Sequence, residues 1–297
     1  MSNFFKLILS FCGITILTML LLLITLYFIS IPTSYNKDNA IFIWGDSQTY
    51  QGIDLNELQK QTGHDIYTSA LHGAGVYDFL VFSELIPDSS TCIVGYSQCC
   101  LLRRKESDYN RSGVNYNAIK KVYKNRYSLS EVITIIRKNK FLQKDIFKTH
   151  STLYPYCDTI ITPEPIEGFR KMYAFEPVFY NDKYNIYKKG IKKLIDKECK
   201  IIIIAFPYYN EVATFYKSSS NRQHIDKDIE LLATEYSNNK IDTLYINDSD
   251  TLLMHDLTHF NEIGAKRASN ILSQYIDSTI LKSDGCRFVI LNDWSCN

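Results

Sequence analysis

Two kinds of hydrophobic pattern divide the chain. From Leu7 to Ile29 the sequence LILSFCGITILTMLLLLITLYFI carries no charge. As a helix it is long enough to cross the hydrocarbon core of a bilayer. It is longer than the apolar region of a cleaved signal peptide, and Ile31-Pro32-Thr33-Ser34 makes a poor cleavage site. The expectation is one N-terminal transmembrane helix, retained as a signal anchor over residues 1–30, followed by a linker over 31–39. Lys6 and the α-amino group precede the run. They tip the positive-inside balance toward a cytoplasmic N-terminus and an extracytoplasmic domain.

Beyond residue 39, apolar runs alternate with segments of helical period. The runs are AIFIW (40–44), DIYTSA (65–70), TCIVG (91–95), KIIIIAF (200–206) and DTLYIN (242–247). Several are continuous rather than alternating, as strands buried on both faces are. The helical segments are DLNELQKQT, VYDFLVFSEL, NIYKKGIKKLIDKE, IDKDIELLATEYS and EIGAKRASNILSQYID. The last is expected to place Ile263, Ala268, Ile271, Leu272, Tyr275 and Ile276 on one apolar face. This alternation predicts an α/β domain over 40–280, a parallel sheet with helices on both faces. Residues 100–180, rich in Tyr, Lys, Asn and Arg, break the alternation. They read as an insertion near the site, a lid or a substrate surface. Its aromatics from 154 to 180 read first as packing. Residues 281–297 read as a C-terminal tail.

Composition changes this picture little. Among 297 residues, 33 basic and 32 acidic side chains leave a net charge of +1. Without a basic excess or a dense Lys/Arg run, no nucleic-acid partner is expected. The eight cysteines form no CxxC pair and no Cys/His ligand spacing, so no structural zinc site is expected; no metal and no cofactor enter the reading. Most read as small buried apolar residues. Cys286 and Cys296 are the nearest plausible disulfide pair.

The candidate chemistry begins in IFIWGDSQTYQGIDL, residues 41–55. An apolar strand stops at Gly45, and Asp46 and Ser47 follow. Ser47 is either a turn or cap residue or a nucleophile. Asp46 reads as structural. A second stretch, MHDLTHFNEIGA at 254–265, sets Asp256 three residues before His259, just ahead of the last helix. That spacing lets a carboxylate hold an imidazole in one tautomer while its other nitrogen takes a proton from a serine hydroxyl. Asn261 and Gly264 read as shaping the entry to that helix. His72 has no acid near it in sequence, and His255 reads as a surface or capping residue.

The two stretches together resemble the SGNH, or GDSL-type, hydrolase superfamily. GDSQT is similar to its first block, SALHGAGVYD to its glycine block, and DLTHFNEIGA to its last block. The resemblance implies a flavodoxin-like three-layer α/β/α sandwich with five parallel strands. It also implies a nucleophile at Ser47, a base at His259, an orienting acid at Asp256, and oxyanion N–H groups on Ser47 and Gly73. One block departs: GYSQCC, residues 95–100, has no asparagine where the superfamily often carries an extra oxyanion donor. Gln98 is the candidate substitute. Losing such a donor raises the barrier by about 3 kcal/mol. The combination of one N-terminal span with such a domain resembles DltD and the alginate-acetylation proteins. That likeness implies a serine esterase or O-acyltransferase acting on acylated, for example acetylated, cell-surface glycans or small esters. The missing asparagine leaves an alternative, a catalytically weak or inactive accessory that binds glycan or a membrane acyltransferase partner.

Overall fold

The computed structural model describes residues 4, 11–21, 40–97, 100–101, 147, 149, 153–155, 177–209, 220–236, 241–246, 251–280 and 288–291. Six strands form one sheet: β1 (Ala40–Trp44), β2 (Asp65–Thr68), β3 (Thr91–Tyr96), β4 (Lys200–Ala205), β5 (Ile241–Ile246) and β6 (Phe288–Leu291). Their order is β2-β1-β3-β4-β5-β6, and every pairing is parallel. The first five follow the order of a flavodoxin-like doubly wound sheet. The sixth lies in the segment read as a tail. Its run FVIL adds to the free edge of β5, with Thr243 opposite Phe288.

The continuous apolar runs are explained by two cores. Successive strand side chains point to opposite faces. Phe42, Trp44, Cys92, Val94, Ile201 and Ile203 enter one core, and Ile41, Ile43, Ile93, Ile202 and Ile204 enter the other. All four isoleucines of β4 are buried, and each contributes about 1.5–3 kcal/mol by leaving water.

Helices α1 (Ser47–Gly52) and α2 (Leu55–Thr62) follow β1, and α3 (Val76–Leu85) follows β2. Helix α4 (Pro177–Asp196) precedes β4, α5 (Ser220–Glu235) precedes β5, and α6 (Glu262–Ile280) follows β5. α3 packs against α4 over the first core. α2 packs against α6 over the second. The ends of α2 show why it starts and stops. Asp54 caps its N-terminus by accepting from the N–H groups of Asn56 and Glu57, and Gly63 closes it in the left-handed region at φ 68°.

One face assignment is corrected. α6 buries Ala265, Ala268, Leu272, Tyr275 and Ile276, whereas Ile263 is 51% exposed. At 3.6 residues per turn Ile263 stands about 200° from Ala265, so it belongs to the opposite side. The helix after β1 also starts earlier than expected, at Ser47 itself.

Most of the expected N-terminal span, the linker 31–39, the bulk of the insertion, Gln98, Cys286 and Cys296 lie outside the described residues. Within the span, residues 11–21 are helical with exposed side chains. Among the described residues, no helix is long and apolar enough to cross a membrane. Cys92, Cys100 and Cys199 are buried and joined in no disulfide, the state expected for most of the cysteines.

Candidate active site

In this strand order, β1 connects outward to β2 on one side, while the chain continues through β3 on the other. The crevice at a doubly wound sheet's binding edge opens between such strands, outside their carboxyl ends. Here it lies past β1 and β3. The glycines ending these two strands let them close up. A methyl group on Gly45 or on Gly95 would collide with the side chain of Thr49, and one on Gly95 would lie 3.0 Å from the Cα of Gly45. Thr49 therefore fills the space where two Cβ atoms would be.

Asp46 spans the same crevice. It is 5% exposed and caps α1 by accepting from the Gln48 N–H at 3.0 Å. Burial raises its carboxyl above the ordinary range, against the opposing pull of a Ser97 hydrogen bond, the Gln48 N–H and the nearby His259. Ser47 is the first residue of α1 and is partly buried. N–H groups of a first helical turn have no partner within the helix. Gly73 sits in the turn after β2 with φ at 71°, a conformation that favours glycine.

Asp256 and His259 share one tight loop. An isolated antiparallel bridge joins Met254 to Phe260 at its base. The Tyr209 N–H donates to Leu257 O at 3.0 Å, fixing the loop against the chain leaving β4. Asp256 Oδ1 accepts from the N–H groups of Thr258, at 2.8 Å, and His259, at 2.9 Å. Its Oδ2 lies 2.7 Å from His259 Nδ1. A carboxylate there accepts the Nδ1 proton and leaves Nε2 bare. Burial works against the Asp256 charge, but the His259 ring and the two N–H groups hold its carboxyl down at about 2. The loop then passes into α6, where Asn261 Oδ1 caps the N–H groups of Ile263 and Gly264, each at 3.0 Å. At Gly264 a Cβ would strike Leu253 O and the Phe260 ring. Both residues therefore shape the helix entry, as the sequence suggested.

The structure brings Ser47 toward this loop through both of its neighbours. Gln48 Nε2 donates to Thr258 O at 3.0 Å, and His259 lies near Asp46. Asp256 and His259 are in direct contact. Gly73 adjoins His72, whose ring lies 6.1 Å from that of His259.

Sequence reasoning passed over the ring cluster around His259. Tyr154 stacks on His255 with centroids 4.2 Å apart and planes 14° apart. It meets His259 edge-on at 5.7 Å and lies 5.9 Å from His72. Tyr50 packs edge-on against the far side of the cluster, 5.0 Å from His72. Gln51 Nε2 lies 3.1 Å from His72 Nε2 and orients that ring. The tyrosine comes from the aperiodic insertion, so no spacing pointed to it. His255 sits inside MHDLTHF, one position before Asp256, and its stacking partner is a hundred residues away in sequence.

No family model matches the chain, and no curated protein sequence does. Among solved structures, it is similar to an acetyl xylan esterase, Est2A, from the rumen bacterium Butyrivibrio proteoclasticus. The TM-score is 0.40 at 12% identity, over 84% of this chain and 65% of that one. The chain thus spans less than two thirds of that protein's length, and an overlap so shallow transfers no property.

Proposed function

We propose that the chain is a serine esterase or O-acyltransferase of the SGNH type, working through an acyl-enzyme on Ser47. The observation that carries this reading is the Asp256–His259 pair, 2.7 Å apart in a loop tied by Gln48 to the helix that Ser47 begins. In the reaction, the Ser47 hydroxyl proton passes to His259 Nε2 as Oγ bonds to the ester carbonyl carbon. The carbonyl oxygen becomes an oxyanion facing the N–H groups of Ser47 and Gly73, with Gln98 as a third donor. The C–O bond then breaks, and the departing alcohol takes the proton from His259. Water, or a sugar hydroxyl in a transferase, next gives its proton to His259 and attacks the acyl carbon. Ser47 leaves with that proton.

The substrate in this reading is an acylated cell-surface glycan or a small ester, met outside the cytoplasm by an anchored domain. The charge-free run from Leu7 to Ile29 supports the anchor. Treatment of the full chain with a fluorophosphonate, followed by peptide mass analysis, tests the chemistry. Modification at Ser47 that disappears in His259→Ala is the expected result. A folded chain that takes no label rejects the reading.

A second reading has its own observation. His259 Nε2 is buried and has no hydrogen-bond partner among the described residues. A serine that never meets this nitrogen would leave a binding accessory, for glycan or for a membrane acyltransferase. In that case Ser47→Ala changes neither labelling nor binding.

A further inference from the structure

His259 Nε2, the atom that would take the serine proton, touches no solvent in this structure. The imidazole is crowded by rings. Tyr154 stands edge-on at 5.7 Å and His72 at 6.1 Å. Behind them, His255 backs Tyr154 at 4.2 Å and Tyr50 backs His72 at 5.0 Å. Rings at such separations are packed against one another, so among the described residues these rings leave no gap between themselves for a chain of methylenes. Tyr154 is also fixed through its backbone. Its carbonyl accepts from the Glu262 N–H, at the first residue of α6, at 2.8 Å. The segment that breaks the strand–helix alternation therefore delivers one ring to the base and ties it to the helix that follows the base.

We propose that Tyr154 is a specificity-determining residue: its ring walls His259 and limits the acyl group that reaches Ser47 to a short one, of the acetyl or propionyl class. An ester must present its carbonyl between Ser47 and His259, and its acyl carbons then lie against this wall. On this proposal a two-carbon acyl group is admitted beside the ring, and a longer one has to displace it. Tyr154 holds a rotamer set by three neighbouring rings and a pinned backbone, so displacing it breaks several contacts at once. The inference rests on the esterase reading for its kinetic measurement, and its steric part can be measured without that reading.

The test uses the full chain and three variants, Tyr154→Ala, Tyr154→Leu and Tyr154→Phe, each checked for cooperative unfolding. Hydrolysis of p-nitrophenyl acetate, butyrate and hexanoate gives the chain-length ratio in kcat/KM. Removing the ring in Ala or Leu should raise the butyrate-to-acetate ratio about tenfold or more, the scale on which a pocket discriminates a methylene or two. Phe, which keeps the ring, should keep the native ratio. A ratio unmoved in both Ala and Leu overturns the proposal. The second measurement is ethoxyformylation of His259 by diethyl pyrocarbonate, read on its peptide. His259 should be protected in the native chain and in Phe, and modified several-fold faster in Ala and Leu. Equal rates in all four overturn the wall even if no ester is cleaved. Silence toward every ester together with faster His259 modification sinks the esterase reading and keeps the wall.

Discussion

Gln48 and Thr258 stand 210 positions apart and are joined by one hydrogen bond, Gln48 Nε2 to Thr258 O at 3.0 Å. It links the residue after Ser47 to the residue before His259. Gln48 is 2% exposed, and its bond to the Thr258 carbonyl is part-buried. Gln48→Ala should therefore destabilise the fold by about 1–3 kcal/mol, the penalty of an orphaned buried acceptor. The fluorophosphonate rate at Ser47 should fall further than stability alone explains, because the loop is free to drift. Chemical denaturation and labelling kinetics on the same preparations check this. A stability loss with an unchanged labelling rate would show that the bond is structural only.

Asp256→Asn tests the orientation of the imidazole. An amide in place of the carboxylate can offer its NH2 to Nδ1, which turns the proton onto Nε2, the wrong nitrogen. On the proposed mechanism, ester hydrolysis should drop about 10⁴-fold, the loss that a wrong tautomer brings in a serine triad. Thermal stability should change little by comparison. Steady-state rates on a short-chain ester decide it, and a drop smaller than tenfold counts against a working triad.

Stability should also report the Asp256 carboxyl. It is held at about 2 in the folded chain, against about 3.9 when unfolded. A depressed acid stabilises the fold above its unfolded value and loses that contribution as pH falls through its folded value. The stability difference between the native chain and Asp256→Asn should therefore shrink below about pH 4 and vanish only below pH 2. The side chain is 45% exposed, so solvent screening keeps the difference smaller than the shift alone implies. Asp46 acts in the opposite sense, because burial raises its carboxyl and protonation relieves it. The comparison of variants, rather than the native curve, isolates Asp256. Urea unfolding at stepped pH measures it, and a gap of constant width down to pH 2 contradicts it.

The glycine at the end of β3 gives a packing test. Gly95→Ala should destabilise by about 1–3 kcal/mol, since its methyl meets the Thr49 hydroxyl and the Gly45 backbone. Thr49→Ala in the same chain should return part of that loss, because the two positions share one space. A double-mutant cycle measures the coupling. Strict additivity would mean that Thr49 is not what excludes the methyl.

Much of the sheet was legible because parallel strands buried on both faces leave continuous runs such as IIII at 201–204. The helix VYDFLVFSEL was recovered at both ends. Asp256 and His259 were legible as a pair because three residues of one loop carry the contact. Their partners were not. Gln48 reaches Thr258 and Tyr154 reaches His255 across long stretches of chain, and no local period encodes such meetings. β6 was missed for another reason: four residues carry too little pattern to separate an edge strand from a tail. Ile263 was misplaced because apolar character alone does not say on which side of a helix a residue stands.

The bond from the Glu262 N–H to Tyr154 O, with those from Gln48 to Thr258 and from the Asp54 N–H to Ser269 Oγ, has a consequence for synthesis. Each ties an early part of the chain to residues after 250. During translation the serine-bearing turn and the inserted segment emerge long before His259 and the helix that follows it. A nascent chain arrested at residue 246 would hold five strands and Ser47, yet it would lack both the imidazole and the anchor points that seat Tyr154. The centre is thus completed only by the last fifth of the polypeptide, and no half-made chain carries it.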